Sequence, residues 1–145
     1  KDSRKQKASK PKIDDQMASK QDIRTWKKKL QVSIANQDPK RIAVNSSFLG
    51  EAYLTAGKYK MSIKHFEKSL DIFTQIGQLH GVAVNNGNLG NAYLRLGQYQ
   101  KAINYHCQAL EINTKLGERS RSADNNENLG SVYIKLGQYA QAISY

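Results

Sequence analysis

The sequence predicts an all-α protein: short antiparallel helical hairpins stacked side by side into a solenoid, coiled as a right-handed superhelix. Three observations predict it. One twelve-residue stretch recurs at a fixed interval of forty, apolar residues inside each interval recur at helical steps, and glycines stand where one helical run must end before the next.

The repetition comes first, because a missed period misassigns a whole fold. NLGNAYLRLGQY at 88–99 returns as NLGSVYIKLGQY at 128–139, sharing eight of twelve letters, and FLGEAYLTAGKY at 48–59 shares seven with the first. The register never slips: Leu49, Leu89 and Leu129 align, as do Gly50, Gly90 and Gly130, Tyr53, Tyr93 and Tyr133, Gly57, Gly97 and Gly137, and Tyr59, Tyr99 and Tyr139. Within the second copy Leu89, Tyr93 and Leu96, and then Ala102, Ile103, Ala109, Leu110 and Ile112, follow three- and four-residue steps, the spacing of one helix face. Gly97 and Gly117 fall just after these runs, where a left-handed residue ends a helix. The unit is therefore a hairpin of helices near 80–96 and 99–115, too small to bury its own apolar face and obliged to stack on its neighbours. Gly90, in mid-helix at a cost of about 1 kcal/mol, predicts another helix backbone passing at contact distance. The tyrosines fill the wider gaps, with their hydroxyls reaching a partner.

The elements follow in order. Residues 1–18 form a basic tail, and KDSRKQKASKPK at 1–12, apolar only at Ala8, is expected to be disordered. Residues 19–37 are a degenerate repeat: one period back, Ile23, Trp26 and Leu30 fall on Ile63, Phe66 and Leu70. A helix over 20–36 starting near Ser19 would thus cap the stack, with Trp26 packed as Phe66 is. Asp38 and Pro39 read as N-cap and first residue of the next helix. Unit one spans 38–77, unit two 78–117 and unit three 118–145, cut off in its second helix. A chain that starts at Lys1 and stops at Tyr145 in mid-pattern reads as a piece of a longer one, its C-terminal end open to fraying.

Composition narrows function. Residues 1–41 hold 13 Lys and Arg against 5 Asp and Glu, whereas 42–145 hold 10 against 7, so the net charge of +11 belongs mainly to the N-terminal segment. No apolar run reaches the eighteen or so residues of a membrane span, and the single cysteine, Cys107, makes no internal disulfide. His65, His106 and Cys107 lack the spacing of a metal site. His106 stands where Phe66 does, and His65 where Tyr105 does, so both read as packed rings. Cys107 has no base and orienting group at catalytic spacing, and the glycines follow helices, not a strand, so they form no phosphate loop. No cofactor, metal, small-molecule substrate or enzymatic activity is expected.

Leu89, Gly90, Tyr93, Gly97, Tyr99, Ala102 and His106 carry a pattern that resembles the tetratricopeptide repeat family: L-G-x-x-Y, a turn glycine, an aromatic two residues on, then A-x-x-x-F. The likeness covers about 40–145. Its forty-residue period, longer than the usual thirty-four or so, and its missing helix-ending proline are similar to Pins/LGN-type G-protein signalling modulators and other long animal arrays. The resemblance implies an interaction module: an adaptor or scaffold in signalling, cytoskeletal or polarity complexes, placed in the cytoplasm, with a nuclear location open through the basic tail. It also implies that first helices line a concave groove that holds a partner's peptide. On unit two Asn88, Asn91 and Arg95 share one helix face, with Asn128, Ser131 and Lys135 as their counterparts in unit three, Phe48, Glu51 and Thr55 in unit one, and Asn85 and Asn125 nearby. Amides both donate and accept, which suits a peptide with exposed backbone groups and an acidic residue. Simple solvation of those residues is the competing reading, and a basic tail binding nucleic acid or anionic membrane, with the array as spacer, is the competing function.

Overall fold

The computed structural model describes residues 13–138 and 144, with side chains from residue 19. The expectations about residues 1–12, Tyr139 and Ile143 lie outside the described residues. Among those described there are six helices and no strand: α1 (Ile13–Ala35), α2 (Pro39–Thr55), α3 (Tyr59–Gln75), α4 (Leu79–Arg95), α5 (Tyr99–Lys115) and α6 (Arg119–Lys135). Each packs on the next, and α2, α4 and α6 also touch in succession. This is the expected array of helical hairpins, with the first helices side by side.

Local chemistry explains the regularity. Every connection is three residues long. At the α4–α5 turn Gly97 takes φ 73°, its N–H donates to the Leu94 carbonyl, and the Gln98 N–H donates to the Tyr93 carbonyl at 2.9 Å. These are the paired bonds of a Schellman cap. Gly57, Gly77, Gly117 and Gly137 repeat the left-handed φ, and at the matching place after α1 stands Gln37, at φ 52°. Asp38 caps α2 as expected, its Oδ1 accepting the Arg41 N–H at 3.1 Å with Pro39 first in the helix.

Three expectations are corrected. First, α1 starts at Ile13, seven residues before Lys20, so Ser19 lies inside a helix and not at its start. Asp14 and Asp15 favour a helix N-terminus, and Met17, Ala18 and Lys20 are good helix formers, so nothing stops the helix at Ser19. Second, Gly90 faces a ring and not a backbone: a Cβ there would lie 2.6 Å from the His106 imidazole, and one on Gly50 would lie 2.6 Å from the Phe66 ring. Each glycine is the seat of an aromatic side chain from the second helix of its own hairpin. Third, Trp26 is half-buried where Phe66 is fully buried. Among the described residues no helix precedes α1 to bring a glycine over the indole, which stacks instead on Phe48 of α2, centroids 4.4 Å apart.

The core falls into two clusters. Ile23, Leu30, Leu49, Ala52 and Tyr53 join α1 to α2. A larger one runs from Ile63 and Phe66 through Leu89, Tyr93 and Ile103 to Leu129 and Val132. Leu129, in the last described helix, is fully buried as well.

Candidate functional site

The first helices form a surface notched by clefts. Between α4 and α6 lies an open cleft of about 160 Å³, where Asn88 and Asn91 face Asn125 and Asn128, with Asn113, Arg121 and Asp124 completing the wall. Between α2 and α4 lies another, of about 230 Å³, lined by Val44, Phe48, Glu51, His80, Val84 and Asn85 among others. Four of the eight residues expected in a groove, Asn88, Asn91, Asn125 and Asn128, thus share one cleft. Arg95, Ser131 and Lys135 stand exposed beyond it.

Asn85 and Asn125 sit deeper than the open groove. Asn85 is 0% exposed, and its Nδ2 donates to the Gly81 carbonyl at 2.9 Å. Asn125, 6% exposed, accepts from Asn113 Nδ2 at 2.9 Å. Both face the preceding second helix, as does their counterpart Asn45, whose Nδ2 donates to the Lys29 carbonyl at 3.2 Å. A buried polar group needs partners: Asn45 and Asn125 find them on a neighbouring helix, whereas Asn85 bonds within α4 and its Oδ1 has none.

Sequence reasoning missed Asn113, Arg121 and Asp124, and it placed Glu51 on the groove face without its hydrogen bond. Glu51 matters most. Asn88 Nδ2 donates to its Oε1 at 3.4 Å, joining α2 to α4 across the groove. Burial holds the Glu51 carboxyl above the usual carboxylate range, and the Asn88 hydrogen bond pulls partly the other way. In the repeat register Glu51 is the counterpart of Asn91 and Phe48 that of Asn88, so the bond joins two different positions of successive units and only the packing reveals it. Arg121 reaches Glu118, the N-cap residue of its helix, at 4.0 Å.

The histidines pack as rings. His65 stacks on Tyr53 with centroids 5.4 Å apart, as Tyr105 does on Tyr93 at 5.5 Å. His106 is fully buried over Gly90 with neither ring nitrogen hydrogen-bonded, and burial lowers its pKa to about 4. Burial pushes the Cys107 thiol up, the wrong direction for a nucleophile. Among the described residues no three His, Cys, Asp or Glu side chains gather closely enough to hold a metal, and no helix is long and apolar enough to cross a membrane.

Helical hairpins in register, glycine-seated rings and a notched surface of first helices define the class: an α-solenoid built to present a groove. The family follows from sequence comparison. The tetratricopeptide repeat profile matches residues 41–115 and again 123–145, and the chain belongs to the tetratricopeptide repeat family, whose repeats mediate protein–protein interaction. No curated protein sequence matches it significantly. Among solved structures it is similar to the tetratricopeptide domain of Arabidopsis FLU, with a TM-score of 0.70 and 21% identity over 73% of this chain and 89% of that one. It is also similar to BtubC (BKLC) from P. vanneervenii, with a TM-score of 0.67 and 27% identity, covering 72% of this chain and 43% of that one.

Proposed function

We propose that the chain is a binding module that holds a peptide segment of a protein partner along its first helices, as an adaptor or scaffold of the kind found in signalling and cytoskeletal complexes. One observation carries the reading: Asn88, Asn91 and Asn128 come from two helices to one cleft beside Arg121. Amides of this kind meet both the N–H and the C=O of an extended or helical backbone. The partner's acidic residue belongs at the exposed Arg95 and Lys135 end, away from the Glu51 carboxylate.

The test separates groove from scaffold. Changing Asn88 and Asn91 to Ala and Arg95 to Glu should leave the melting temperature nearly unchanged, as surface substitutions do. Partners recovered from cell extract by the intact chain should bind at least about tenfold more weakly, since each lost hydrogen bond removes about 0.5–1.5 kcal/mol. Undiminished capture, together with release on deleting residues 1–18, would transfer the function to the basic tail.

A further inference from the structure

A larger cleft lies elsewhere. Three clefts share one set of repeat positions: Ser33, Arg41, Val44 and Asn45 in the first, Phe73, Gly81, Val84 and Asn85 in the second, and Asn113, Arg121, Asp124 and Asn125 in the third. The second and third are each closed by the preceding first helix, α2 or α4. The first lies between α1 and α2, has no such wall among the described residues, and opens to about 700 Å³. Where that wall would need the counterparts of Leu49, Gly50 and Tyr53, the chain has Ser9, Lys10 and Ile13. From Ile13 onward it is already committed to α1, with no turn at the register of Gly57.

Two features of the open seat identify its occupant. Its floor is apolar: Val32 is 59% exposed on α1, Val44 stands beside it, and the stacked Trp26 and Phe48, the latter 41% exposed, continue the surface. Its rim is cationic. Lys28, Lys29, Lys40 and Arg41 surround it, Lys29 Nζ sits 4.3 Å over the Trp26 ring, and the one carboxylate in the lining, Asp38, is paired with Arg41 at 3.3 Å. Residues 1–12, with six Lys and Arg against one Asp, carry the same sign of charge as the rim.

The geometry points to a second binding site: an amphipathic helix of a protein partner, apolar on one face and acidic along its edges, seats between α1 and α2. The site is separate from the amide-lined cleft and does not depend on it. A helix fits because α2 and α4 hold this very position in the next two repeats, and Glu or Asp along its edges meets the lysines while Leu fills the gap over Val32.

The experiment uses the whole chain and a synthetic seventeen-residue acetylated peptide of Leu, Ala and Glu, with Leu at three- and four-residue steps. Trp26, the single tryptophan, is the reporter. Saturable binding with a shift in its emission is expected, weakened at least tenfold in Lys28→Glu/Lys40→Glu and in Val32→Asp, and unchanged in Asn88→Ala/Asn91→Ala. Circular dichroism melts establish that the variants fold. The assignment is overturned if the peptide fails to saturate, if Lys28→Glu/Lys40→Glu binds it as well as the parent does, or if a short DNA duplex displaces it at lower concentration, which would make the rim a phosphate site. It is also overturned if sedimentation shows a dimer that Val32→Asp dissociates, the occupant then being a second copy of this chain.

Discussion

The α2–α3 and α4–α5 hairpins have the same backbone and the same glycine seat, yet they fill it with different chemistry. Over Gly50 lies the phenyl ring of Phe66; over Gly90 lies the imidazole of His106, equally buried and with no hydrogen bond to either nitrogen. The fold therefore selects at this place for a flat ring of limited thickness, not for a hydrogen-bonding partner. The first hairpin gains clean apolar burial from it. The second carries two desolvated nitrogens that favour unfolding, more strongly as the pH falls.

The comparison can be broken most severely at the ring itself. Phe66→Ala should destabilise by about 3–5 kcal/mol, the range for a buried large aromatic. Trp26→Ala, at the equivalent place without a glycine seat, should lose less than half of that in parallel urea melts. A second test uses acid. The folded pKa of His106 is about 4 against 6.5 in the unfolded chain, so between those values the unfolded state binds a proton that the folded state refuses. Stability should thus fall as the pH drops from about 6.5 to 4 and be level above, with a full span of roughly 3 kcal/mol. His106→Phe should abolish that share of the slope and stabilise the chain at neutral pH as well. His65, lowered by burial and then by Lys64, Lys68 and Lys27, slopes in the same direction in both proteins and cancels in their difference. If the two pH profiles run parallel, the imidazole is not desolvated as described.

Smaller effects sharpen the contrast. Gly90→Ala and Gly50→Ala should each cost about 1–3 kcal/mol in overpacking, less about 1 kcal/mol of regained helix propensity. Gly50→Ala should be the worse, since its Cβ meets the bulkier ring. Smallest is Gln37→Gly. A non-glycine residue at positive φ costs roughly 1–2 kcal/mol, and glycine returns about 0.5–1 kcal/mol of that as unfolded-state entropy. A gain of about 0.5–1 kcal/mol is expected in thermal melts, and a loss would mean that the Gln37 side chain holds the turn.

The fold was legible because its signals are local and repeated. Gly97 announced its left-handed turn, Asp38 and Pro39 announced the start of α2, and the helices of unit two fall within a residue of their expected ends. What was illegible depends on which neighbour a residue meets. Repeated Gly90 signals a close approach without saying whether a backbone or a ring approaches. Asn85 and Asn88 look alike in the sequence, but one faces the preceding second helix and the other the groove, a difference that only inter-helix register reveals. Trp26 aligns with Phe66 in spacing, while the place of Gly50 one period back is held by Lys10. The candidate site was accordingly half legible: the amides of the α4–α6 cleft were named, whereas Arg121 and the Asn88–Glu51 bond emerged only with the packing.

The division of the core has a consequence for how the molecule opens. One cluster ties α1 to α2 through Leu49 and Tyr53, the other binds α3 to α6, and α2 belongs to the first while its Leu54 leans on the second. Contacts in such an array run only between neighbours, so its stability is a chain of local terms. Amide exchange should accordingly resolve two cooperative blocks that meet in α2. The N-terminal one, with the fewer buried side chains, should release its protons first while the rest of the stack stays closed.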